Sequence, residues 1–268
     1  MRKPRVLVLG GWSGGPLDYL RRRWSGECTF VEPPLHMPPQ GARWCFTWEA
    51  ALLAGAACLP WAVSAAGCGA AAALVTGAAV LCLAPRLVAL LVRGAIRRSV
   101  AAAELCLKGG TVDLVVGFSW GGGVACWLLS ERRWRGPTLL LAPTLEAMAS
   151  AARLALPAPF FSARGGGGGA RCCHDEADEA DEAAGAEAAC IKLAAGFASQ
   201  GAAAAAAAPP LVHIFHASDD GFCPPSQHEA LQRTGAAMHR LSDSHVFMTR
   251  QSEEEIGRVF GALLGSGW

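Results

Sequence analysis

The run Val112-Asp113-Leu114-Val115-Val116-Gly117-Phe118-Ser119-Trp120-Gly121-Gly122-Gly123 sets a serine between two glycines at the end of a β-branched stretch. A serine hydroxyl is a weak nucleophile until a base takes its proton, so its placement matters as much as its identity. The residues before Ser119 read as a buried parallel strand, and Val124-Ala125-Cys126-Trp127-Leu128-Leu129 reads as a helix packing back on the sheet. A sharp turn between the two exposes the serine above the sheet and requires small residues two positions to either side, which Gly117 and Gly121 supply. The bland alternative is a glycine-rich turn matching by chance in a chain with 32 glycines.

An activated serine needs a base, and the base needs an acid to orient it. Leu211 to His216 reads as a strand, and Ala217-Ser218-Asp219-Asp220-Gly221-Phe222-Cys223-Pro224-Pro225 as the polar turn that follows. Asp220 is the favoured acid; Asp219 is the alternative, or caps the turn. Met238-His239-Arg240-Leu241 reads as a short last strand, and His245 then falls in a loop ahead of a helix from Glu253 to Leu264, a base's station. His213 and His216 read as strand residues and His239 as a surface residue, and His36 has no such placement either.

The first strand, Arg5 to Leu9, runs into Gly10-Gly11-Trp12-Ser13-Gly14-Gly15, whose glycines let backbone amides approach a ligand. The N–H groups of Trp12 and Trp120 are the candidate donors to an oxyanion, each worth a few kcal/mol in a transition state. The same loop lacks the Gly-Lys-Ser/Thr of a phosphate loop and misses the dinucleotide spacing, so no nucleotide cofactor is expected.

Taken together, Gly117-Phe118-Ser119-Trp120-Gly121-Gly122, the loop Gly10-Gly11-Trp12, the acid loop Asp220 to Pro224, and His245 resemble the α/β-hydrolase family. The resemblance implies a mostly parallel sheet flanked by helices, with Ser119 as nucleophile, Asp220 as acid, His245 as base, and Trp12 and Trp120 as oxyanion amides. Two features depart from the family: many members carry His-Gly where this chain has Gly10-Gly11, and the early antiparallel strands are missing. A reduced version of the fold follows, in one domain over residues 1–268 with two insertions.

The first insertion explains a composition that is 52% hydrophobic with mean hydropathy +0.30. No charged residue occurs from Ala50 through Pro85, and after Arg86 the apolar run resumes to Val92. A crossing needs about 20 apolar residues, so residues 49–93 are expected to form a hydrophobic hairpin turning near Ala65 to Gly69. An even number of crossings keeps the strands at residues 5–9 and 112–117 on one side. Arg21, Arg22, Arg23 and Arg43 before the segment, and Arg86, Arg93, Arg97, Arg98 and Lys108 after it, put that side in the cytosol. The expected partner is membrane lipid through residues 50–92. The alternative is a soluble Ala-rich cap over the site.

The second insertion, residues 164–208, joins a glycine run, an acidic run and poly-alanine, and reads as disordered low-complexity sequence where the resembled family often carries its lid. Cys172-Cys173-His174-Asp175 lies within it, and no metal is assigned to that run. The 11 cysteines have no paired metal spacing and read as reduced core or membrane residues. Met1-Arg2-Lys3-Pro4 leads into a strand, so no secretory signal is expected. A net charge of +1 without a basic stripe gives no case for nucleic acid. The expected chemistry is serine hydrolysis of an apolar carboxylic ester or thioester, with Trp12, Phe118 and Trp120 expected to form an apolar mouth or, alternatively, to pack on neighbouring helices. Acyl transfer by the same residues and a non-catalytic membrane-anchored scaffold are the alternatives.

Overall fold

In the computed structural model of the protein, residues 2–37, 48–152, 211–223, 227, 231–232 and 235–265 are described. Arg43, Pro224, Pro225, the Cys172 to Asp175 run and the whole 164–208 insertion lie outside them. Six strands form one sheet: β1 (Arg5–Leu9), β2 (Thr29–Val31), β3 (Leu114–Phe118), β4 (Thr138–Leu141), β5 (Val212–Asp219) and β6 (Ala237–Ser244). Their order is β2-β1-β3-β4-β5-β6, and every neighbouring pair is parallel. The class is therefore α/β, as expected. The short β2 has no counterpart among the expected strands, because Thr-Phe-Val is too brief to show a period.

Side-chain alternation divides the core between the two faces of the sheet. Leu7, Leu9, Val115, Leu140 and Ile214 point to one face, and Val6, Val8, Leu114, Val116, Phe118, Leu139 and Phe215 to the other. Both faces are apolar because both are covered, which is why the central strands read as continuous hydrophobic runs. On the second face lie α1 (Gly15–Trp24) and α6 (Arg250–Gly265), through Leu17, Leu20, Ile256, Val259 and Phe260. The first face is covered by α4 (Trp120–Ser130), α5 (Leu145–Ala152) and the lower half of α3 (Gly69–Lys108).

Helix α3 belongs to two environments. From Ala89 to Ala103 it buries Leu91, Val92, Ala95, Ile96, Ser99 and Val100, while Leu74, Val75, Leu81 and Leu83 nearer its start are exposed. It is long and apolar enough to cross a membrane by length and composition. The upper half packs on α2 (Trp48–Ala65), and the connection between them bends at Gly67 and Gly69, with φ of 76° and 83°. Only glycine adopts those angles at little cost. The turn thus falls where the sequence places it, but two details differ. Of the two arms, α2 is the short one, about 27 Å long over its 18 residues. The other arm continues past 93 and through Gly94 to Lys108, because Ala95, Ile96, Val100 and Ala103 pack on the sheet and outweigh the poor helix propensity of that glycine.

Candidate active site

The turn after β3 is sterically determined. Ser119 has φ 52° and ψ −117°, a left-handed conformation that costs a non-glycine residue about 1–3 kcal/mol. Backbone bonds hold it there: the Ser119 N–H donates to the Leu141 carbonyl at 2.9 Å, and its carbonyl accepts from Gly123 at 3.1 Å and Thr144 at 3.2 Å. A methyl group on Gly117 would come within 2.8 Å of the Gly121 carbonyl oxygen, and one on Gly121 would overlap the Leu9 carbonyl. The loop after β1 presses on the same spot, since a Cβ on Gly11 would lie 2.6 Å from the Ser119 Cβ.

Three residues far apart in sequence meet at this edge of the sheet. Ser119 Oγ lies 2.9 Å from His245 Nε2, and His245 Nδ1 lies 2.7 Å from Asp220 Oδ2. With Asp220 ionised, Nδ1 carries the proton and donates to it, leaving Nε2 to accept from the serine hydroxyl. The other Asp220 oxygen accepts from the Phe222 N–H at 2.8 Å. The Asp220 side chain is fully shielded from solvent. Burial pushes its carboxyl up, and the hydrogen bonds from His245 and the Phe222 amide outweigh that, so the net displacement is downward. Of the two neighbouring acids, Asp220 takes the partner of His245, while Asp219 is exposed at the end of β5.

Around this core the structure adds residues that sequence reasoning missed. Asp243, near the end of β6, accepts from the Thr249 N–H at 2.8 Å, Thr249 Oγ1 at 2.7 Å, Ser252 Oγ at 2.7 Å and the Ser244 N–H at 2.7 Å. These bonds tie β6 to the first turn of α6 and hold both ends of the loop bearing His245. Burial pushes the Asp243 carboxyl up, and the hydrogen bonds from Ser252, Thr249 and Ser244 outweigh it, bringing it to about 2. In the sequence, Ser242-Asp243-Ser244 resembles any polar loop; its one signal is an acid two residues before the histidine.

Cys223 sits beside the acid, its thiol donating to the Pro143 carbonyl at 3.2 Å. Asp220, Cys223 and His245 place their donor atoms within 4.8 Å of one another, close enough to suggest a metal site. These donor atoms are already engaged within the protein: His245 Nδ1 and Asp220 Oδ2 bond each other at 2.7 Å, and the Cys223 thiol, pushed up by burial, donates to the Pro143 carbonyl. The cluster fits an acid–base pair backed by a neutral thiol.

Two side-chain expectations are corrected. Phe118 and Trp120 do not face an entrance; both are buried, and the Trp120 indole donates to Ser99 Oγ at 3.4 Å. His239 is not a surface residue: it stacks on Phe215 with centroids 4.3 Å apart and lies 3.0 Å from His213, because α6 covers the edge strand. Trp12, by contrast, is half exposed at the catalytic edge, and the Phe222 ring lies 5.1 Å from that of His245.

Comparison of the chain with protein-family models, with curated proteins and with solved structures found no match.

Proposed function

We propose that the protein is a serine hydrolase of the α/β-hydrolase type that cleaves a carboxylic ester or thioester with an apolar acyl group. The observation that carries the proposal is the chain of two short hydrogen bonds through His245, 2.9 Å to Ser119 and 2.7 Å to Asp220. Ser119 Oγ attacks the substrate carbonyl carbon while its proton passes to His245 Nε2, and Asp220 stabilises the resulting imidazolium. The developing oxyanion is met by the N–H groups of Trp12 and Trp120. Trp120 opens α4, so its N–H has no acceptor within that helix. Collapse expels the alcohol or thiol, which takes the proton from Nε2. Water activated by the same imidazole then opens the acyl-enzyme and restores Ser119.

Residues 50–92 anchor the enzyme in lipid, with the α/β body on the cytosolic side. Support comes from the exposure of Trp61, Leu74, Val75 and Leu81 and from the lack of charge between Ala50 and Pro85. The test is hydrolysis of p-nitrophenyl esters from acetyl to palmitoyl by detergent-solubilised protein. Turnover by wild type that is absent in Ser119→Ala supports the proposal, and equal rates in the two proteins refute it.

A further inference from the structure

The path of α3 through the fold gives the hairpin a direction relative to the active site. At its lower end α3 lies at the edge where strands begin: the Gly109 carbonyl accepts from Arg5 at 3.4 Å, and the Asp113 N–H donates to the Arg5 carbonyl at 2.8 Å. Ten residues earlier, Ser99 lies at the edge where strands end, bonded to the indole of Trp120, the residue after Ser119. The helix therefore runs antiparallel to the strands. The part of α3 that precedes Ser99 thus extends beyond the catalytic edge, and the Arg93 Nε, donating to the Ala152 carbonyl at 2.8 Å, fastens it to α5.

A second observation points the same way. Outside residues 48–108, the exposed large apolar side chains among the described residues are Trp12, Phe222 and Met248. All three border the triad: Trp12 follows the glycine that presses on Ser119, Phe222 donates its amide to Asp220, and Met248 is on the loop that carries His245. On the sheet-covering part of α3 one further large apolar side chain, Leu105, is exposed; it stands alone near the opposite edge, whereas the other three gather around the triad. Leu90, the last exposed apolar residue before the tightly packed part of α3, precedes Ser99 by nine residues, about 14 Å of helix. A lipid surface at that level begins with a headgroup layer roughly 6 Å deep, facing the loops that bear the rim.

We infer that the catalytic edge faces the bilayer the hairpin enters, with Trp12, Phe222 and Met248 as an apolar rim on the lipid surface, so that the substrate is an acyl ester or thioester resident in that bilayer. The inference rests on the membrane-anchored hydrolase reading above. It differs from simple anchoring, in which the body would hang from the hairpin with its mouth turned in any direction.

The test uses the full chain inserted into phosphatidylcholine vesicles during synthesis, with the photo-crosslinker p-benzoylphenylalanine replacing Leu81, Met248 or Arg135. Leu81 is on the hairpin, and Arg135 is exposed on the loop that enters β4 from the opposite edge of the sheet. Phospholipid adducts are expected at 81 and at 248, with at least ten-fold less at 135. Adducts at 81 without adducts at 248, or equal yields at 248 and 135, overturn the orientation and leave the anchor standing. No adduct at any of the three positions overturns the anchor as well. Loss of fluorophosphonate labelling at Ser119, measured on the same samples, would instead count against the hydrolase reading.

Discussion

The two halves of α3 are one continuous helix serving two different surroundings. From Ala89 to Ala103 its buried residues are those a sheet-covering helix needs, and Ser99, deep in that interface, is satisfied by the Trp120 indole and by both the N–H and the carbonyl of His36. From Gly69 to Leu83 the same helix exposes Leu74, Val75, Leu81 and Leu83. Thr76 there returns its hydroxyl to the Ala72 carbonyl at 2.8 Å, one turn back. In the body Ser99 is held by three polar partners; in the hairpin the charged residues are absent from Ala50 to Pro85. The proposed chemistry rests on the first region and the proposed anchoring on the second, and each should fail separately.

The largest effect expected is on catalysis alone. Ser119→Ala should lower kcat for a p-nitrophenyl ester by roughly 10⁵-fold or more, with membrane retention unchanged. Asp220→Asn should cost about 10⁴-fold, because an amide opposite Nδ1 favours the wrong imidazole tautomer; steady-state kinetics on both variants checks the order. On the other region, Leu81→Asp places a charge on an exposed apolar face and should weaken insertion by about 3 kcal/mol, roughly a hundred-fold in partition between vesicle and supernatant. Flotation on a density gradient measures it.

Smaller and more diagnostic is Asp243→Asn. Removing the charge that gathers Thr249, Ser252 and Ser244 should destabilise the protein by about 2 kcal/mol. It should also lower kcat about ten-fold with KM little changed, since His245 loses its fixed position rather than its partner. The native carboxyl of Asp243 is depressed from the ordinary 3.8 to about 2. Its contribution is therefore fully present above 3.8 and is lost as pH falls from there toward about 2. Urea titrations at neutral pH and at pH 3 should show wild type losing stability over that interval and Asp243→Asn losing less.

Much of the site was legible because its signals are local. The sharp turn at Ser119 shows itself in the glycines around it, and Asp220 and His245, which the structure brings to it, fall after strands later in the chain. The strand before Ser119 reads as a parallel core strand from its apolar run, the mostly parallel sheet is what the family resemblance implies, and the hairpin follows from the absence of charge. What could not be read depends on which side chains meet. Asp243 acquires its role only when the start of α6 returns to the end of β6. Phe118 and Trp120 flank the serine in sequence yet turn inward, and the exposed aromatic nearest His245 is Phe222, from the acid loop. His239 resembles a surface residue until α6 is laid across the edge strand. The length of α3 is of the same kind: it runs through Pro85 and Gly94 to Lys108 because its later residues pack on the sheet, which no local propensity shows.

The most direct measurement is covalent labelling of the detergent-solubilised protein with a fluorophosphonate probe, followed by peptide mass spectrometry, on wild type, Ser119→Ala and His245→Ala. An adduct on Ser119 in wild type that is lost in both variants is the predicted result. Folded wild-type protein that takes up no probe, or labelling that survives His245→Ala undiminished, would contradict it.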